Sequence, residues 1–81
     1  MNKFDIPRLE RTQRGFQFLE FKDRYDLPCT LQQSSLADYE PPGTSAVWLG
    51  SGADRMHLDR QRVAWLVEQL QHWLTTGEFK P

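Results

Sequence analysis

Few side chains in this chain are of a type that does chemistry, and their spacing favours holding a ligand over transforming one. Catalysis requires a nucleophile beside a base, paired carboxylates in a cleft, or a metal with an open position. Ser34, Ser35, His57 and Asp59 supply the types for a Ser-His-Asp set. No nucleophile-elbow pattern surrounds either serine, however, and Asp59 has a simpler role as a helix cap. Cys29, His57, His72 and Asp59 show neither HxxxH nor CxxC spacing, so metal coordination has no signature here. The run LGSGADR sets two glycines near a cation but lacks the Gly-Lys-Ser/Thr ending of a phosphate-cradling loop. The expectation is a protein with no catalytic residues, no metal and no cofactor.

Binding is better supplied. Gln32, Ser34 and Ser35 follow one another in a β-prone run, Trp48 lies in a second such run, and Arg55 and His57 arrive just after it. Hydroxyls, an amide, a flat aromatic and a guanidinium suit a nucleotide-like ligand: the indole stacks on a base and the cation takes a phosphate. These six residues are the candidate ligand-binding set. The plainer alternative is that Thr30, Gln32 and Ser34 form a solvent face, Trp48 packs under a proline loop, and Arg55 pairs with Asp54 or Asp59.

The elements that must position these residues can be read from the pattern. GFQFLEFKDRY and CTLQQSS are two β-prone runs about a turn favoured by Asp26 and Pro28, and so predict a hairpin. Phe16 and Phe18 have one parity, Leu19 and Phe21 the other. The first strand is therefore covered on both faces or bulged between Phe18 and Leu19, and the bulge is preferred. In the second run Cys29 and Leu31 face the core. LADYEPPGTS is a loop, because consecutive prolines and a glycine sustain neither ladder nor helix. AVWLG predicts a third strand with Val47 and Leu49 on one face and Trp48 on the other, and Met56 to Leu58 leave room for a short fourth. Asp59 is the N-cap of a helix from about Arg60, and Gly77 is its left-handed stop. The helix stripe is read as Val63, Leu66, Val67, Leu70, Trp73 and Leu74. Together these give an α+β fold: a small antiparallel sheet covered by one C-terminal amphipathic helix, spanning residues 15–81. Residues 1–14 form a basic arm, loose or pinned at a few anchors.

Trp65 falls about 200° round the helix from Val63 and so outside that stripe. Either the arm folds over it through Phe4 or Ile6, or Trp65, Gln69 and His72 form an interface with a second copy, since large aromatics are enriched at interface cores. The small size of the core tilts the expectation to a homo-oligomer, a dimer first. A chain of 81 residues buries only about 60–65% of the surface it exposes when unfolded.

Ten basic and eleven acidic residues leave a net charge of −1, so no global field draws the protein to DNA or an anionic membrane. Residues 1–14 carry four cations against two acids, and residues 15–59 three cations against seven acids. A DNA-binding regulator using Arg8, Arg11 and Arg14 is the least favoured reading. One cysteine, no signal peptide and no eighteen-residue apolar run point to a cytoplasmic protein.

At CTLQQSSLA, VWLG, RMHL and LQHWLTTGEF the chain resembles a group of small bacteriophage and prophage proteins. Their shared pattern is Cys-Ser/Thr-Ile/Leu-Gln-x-Ser-Ser, Trp-Leu-Gly, Arg-Met-His-Leu and Thr-Gly-Glu-Leu/Phe. Cys29, Thr30, Leu31, Gln32, Ser34, Ser35, Trp48, Leu49, Gly50, Arg55, Met56, His57, Leu58, Thr76, Gly77 and Glu78 carry it here. Relatives often have a longer insert where this chain has only SGAD, and a glycine where it has Asp26. The resemblance implies a phage origin rather than an activity; because small phage proteins often block a host immune system by binding, the expectation is a counter-defence protein that acts by occupancy. It would sequester a nucleotide-derived immune signal or dock on a host defence assembly such as a CRISPR effector.

Overall fold

The structure, a computed structural model, describes residues 4–37, 41–52 and 55–81. Lys3, part of the proline loop and Asp54, one of the acids considered for Arg55, lie outside the described residues. Four strands, β1 (Glu10–Arg11), β2 (Gln17–Lys22), β3 (Pro28–Gln33) and β4 (Val47–Ser51), form one antiparallel sheet in chain order, followed by helix α1 (Arg60–Thr76). The α+β class and the helix limits agree with the sequence reading. The extra strand does not. It comes from the basic arm, where Glu10 and Arg11 pair with Phe18 and Gln17, while residues 55–59 form no strand.

The β2–β3 hairpin is set by Asp23. Its Oδ1 accepts the N–H groups of Tyr25 (2.8 Å) and Leu27 (3.0 Å), the local capture that makes aspartate a turn former. Asp26 takes the left-handed conformation at φ 64°, which aspartate tolerates better than most residues. Pairing then runs unbroken from Phe18↔Gln32 to Lys22↔Pro28. The bulge expected between Phe18 and Leu19 is therefore absent. Leu19 and Phe21 face the helix and are buried, whereas Phe18 sits half-buried on the opposite face, so the strand needs no extra residue to serve both.

Asp59 caps α1 as expected: Oδ1 accepts the Arg62 N–H (3.1 Å) and Oδ2 the Arg62 guanidinium (2.8 Å). Gly77 closes the helix at φ 80°, its N–H donating to the Trp73 carbonyl (2.7 Å). A β-carbon there would lie 2.6 Å from the Thr44 methyl, so glycine is required for space as well as for conformation.

The face that α1 buries differs from the expected stripe. Arg62, Trp65, Leu66 and Gln69 are buried, while Val63, Val67 and Leu74 stay exposed, Val67 at 58% and Leu74 at 71%. Relative to the expected stripe the helix is turned by roughly 95° about its axis, at 3.6 residues per turn. Trp65, 8% exposed, packs on Phe21 and on Phe4 of the arm, ring centroids 5.1 and 5.5 Å away. The arm thus covers Trp65 through Phe4, whereas Ile6 remains exposed. Arg62 lies flat against the Phe4 ring (4.8 Å) and its Nε donates to the Lys22 carbonyl (2.6 Å). Polar residues can be buried here because each finds a backbone partner. A hydrophobicity pattern carries no sign of that.

The chain after Gly77 folds back beside β2 and completes the core with Phe79. Three buried glutamines hold it. Gln17 Oε1 accepts the Phe79 N–H (2.7 Å), and Gln33 Nε2 donates to the Gly77 carbonyl (2.9 Å). The Gln69 amide exchanges two hydrogen bonds with the Lys80 backbone (2.8 and 2.9 Å).

Asp23 also ties the hairpin to the helix entry, since its Oδ2 accepts the His57 N–H (3.0 Å). That bond, with those from Leu27 and Tyr25, holds its carboxyl below the usual carboxylate range, and the Arg62 backbone and guanidinium do the same to Asp59. Both folded-state values are depressed. Their stabilisation is therefore fully present above the unfolded value, about 3.9, and is lost as pH falls through the lower folded values. Asp23→Asn is expected to lower the urea midpoint at pH 7 and to flatten its fall between about pH 5 and pH 2. An acid limb as steep as the parent's would show that Asp23 is not one of the titrating groups.

Candidate ligand-binding site

Trp48 is 67% exposed on the face of the sheet away from α1. Its position follows from parity: Leu49 pairs with the core residue Leu31, so Trp48, one residue earlier, points to the opposite face beside Gln32. Phe18 is the third member of that row. Beyond it the chain turns from β1 into β2. Thr12 organises this turn, its N–H donating to the Phe16 carbonyl (2.8 Å), its carbonyl accepting the Gly15 N–H (2.9 Å) and its hydroxyl accepting the Phe16 N–H (3.1 Å). Gly15 supplies the positive φ, 89°, that the turn requires. The turn sets the Arg14 guanidinium over the Phe16 ring at 5.6 Å.

Thr12, Gln13, Arg14, Phe16, Gln32, Gln33, Ser35 and Trp48 line a concavity of about 370 Å³, at the small end of the range for ligand pockets. Among the described residues Arg14 is the only charged one in that lining. The wall offers a flat indole, side-chain amides and hydroxyls, and one guanidinium. Among the described residues no three His, Cys, Asp or Glu side chains stand together as a metal site.

Of the six candidate residues, Gln32, Ser35 and Trp48 meet here. The other three lie elsewhere. Ser34 is buried, its N–H donating to the Ala46 carbonyl (2.9 Å) and its hydroxyl accepting the Leu36 N–H (3.1 Å), so it ends the strand rather than facing a ligand. His57 stacks on Tyr25 at 4.7 Å beside the hairpin turn, and the Arg24 N–H donates to its carbonyl (2.7 Å). Arg55 is exposed beside Ser51, whose hydroxyl reaches its carbonyl (3.5 Å). The cation of the concavity is Arg14, from the arm. Sequence position did not suggest it, because the loop between β1 and β2 becomes visible only once Glu10 and Arg11 are known to pair.

The expected interface set is also redistributed. Trp65 and Gln69 are buried within the chain, and the His72 ring donates to the Glu78 carbonyl (2.9 Å), helping to hold the tail. No described helix is long and apolar enough to cross a membrane. No known protein family, no curated protein and no solved structure matches this chain.

Proposed function

We propose that this protein is a non-catalytic binding protein that holds a flat, anionic, nucleotide-like small molecule on the open face of its sheet. The observation that carries the reading is the concavity in which Trp48, Gln32 and Ser35 meet Arg14, with no carboxylate among the described residues of the wall. Trp48 takes the base by stacking, Arg14 takes a phosphate, and the amide of Gln32 reads polar edges. Taken with the resemblance to small phage proteins, the ligand class is a nucleotide-derived immune signal, sequestered in the host cytoplasm.

Calorimetry against cyclic nucleotides and ADP-ribose derivatives tests this. At least one ligand of the panel is expected to bind. Trp48→Ala is expected to weaken it by about 5- to 150-fold, the equivalent of the ~1–3 kcal/mol of one base stack. Arg14→Ala is expected to weaken binding about tenfold or more and to remove much of its salt dependence, while Arg55→Ala changes nothing. Absence of heat across the panel, or sensitivity to Arg55 in place of Arg14, overturns the proposal.

A further inference from the structure

The two edges of the sheet are treated differently. β1 is two residues long and both are charged, the usual protection of an exposed edge. β4, with sequence VWLGS, is five residues long, carries neither charge nor proline, and no described segment pairs along its outer side. The ladder phase shows which residues face outward. Ser34 donates its N–H to Ala46, so residues 46, 48 and 50 turn their backbone groups toward β3, and the backbone of Val47 and Leu49 faces the free edge.

We infer that β4 is the interface with a second copy of this chain, joined antiparallel about a two-fold axis through Leu49 into an eight-stranded sheet. Self-pairing in this register is complementary at its centre. Leu49 meets Leu49, exchanging both backbone hydrogen bonds, and Trp48 meets Gly50 in the adjacent close pair. Gly50 has nothing within 4 Å of where a β-carbon would stand. The exposed Trp48 ring has room to lie over it, the cross-strand cover that aromatics give to edge glycines.

On the helix side of the sheet, Leu49 is 39% exposed.

The interface does not rest on the ligand reading, and the two are tested separately: association is read by mass, ligand binding by heat. Sedimentation equilibrium of the full chain is expected to give twice the 9.6 kDa of one copy. Leu49→Lys, on the face opposite the concavity, is expected to weaken association about tenfold or more while leaving far-UV circular dichroism unchanged. Leu49→Cys lies on the axis with α-carbons about 5.5 Å apart. Treated with oxidised glutathione, it is expected to give a disulfide-linked dimer, which the parent with its buried Cys29 does not. A monomeric parent overturns the inference. So does a dimer in which Leu49→Cys fails to cross-link, a result that holds even where Leu49→Lys disturbs folding.

Discussion

Phe79→Ala is expected to cost about 3–5 kcal/mol of unfolding free energy, the range for deleting a buried aromatic. A domain of this length has only about 4–12 kcal/mol in total. The ring is among the most deeply buried side chains, although only two residues follow it in the sequence. Its placement depends on the Gln17 amide, which accepts the Phe79 N–H, and on Gln69, which holds the next residue on both its N–H and its carbonyl. Removing the ring empties the core and also removes the reason for the tail to stay docked. Glu68→Ala makes the control. Its ion pair with Lys80 joins two exposed side chains, and such pairs contribute about 0–1 kcal/mol. Urea unfolding followed by circular dichroism, at one fixed protein concentration because association adds to apparent stability, reads both variants. A Phe79→Ala cost below about 1 kcal/mol would mean that the tail is not part of the cooperative core.

Trp65→Ala is expected to be as damaging, by about 3–5 kcal/mol. The indole bridges the arm and the sheet, with Phe4 on one side and Phe21 on the other. Its loss leaves a cavity between three elements and frees Phe4 from its only ring partner among the described residues. Trp65→Phe separates size from polarity. The Trp65 indole N–H is buried without a hydrogen-bond partner among the described residues, and an orphaned donor of this kind carries a desolvation penalty of about 1–3 kcal/mol. Phenylalanine discards the penalty along with part of the ring, so Trp65→Phe is expected to cost less than half as much as Trp65→Ala. Were Trp65 a surface residue, both variants would fall within about 0.5 kcal/mol of the parent.

The local chemistry of the chain was legible before the structure. Asp59 and Gly77 mark the ends of α1 because capping depends on one side chain and one backbone conformation. Asp26 and Pro28 mark the hairpin, and the alternation of Val47, Trp48 and Leu49 predicts that Trp48 stands alone on the open face. Gln32 and Trp48 were identifiable as site residues for the same reason, since period-two parity assigns faces without reference to distant chain; Ser35, of the opposite parity, lies beyond the end of β3 at Gln33.

What only the tertiary structure decided is which polar residues find partners. Arg62, Gln69, Gln17 and Gln33 are buried because carbonyls and N–H groups of β2 and the C-terminal tail receive them. That choice turns α1, hides Trp65, and leaves Val63 and Val67 exposed. Likewise Arg14 replaces Arg55 as the cation of the concavity because Glu10 and Arg11 pair with β2. Hydrophobic periodicity records what one residue prefers, whereas a hydrogen bond between residues dozens of positions apart belongs to the folded chain alone.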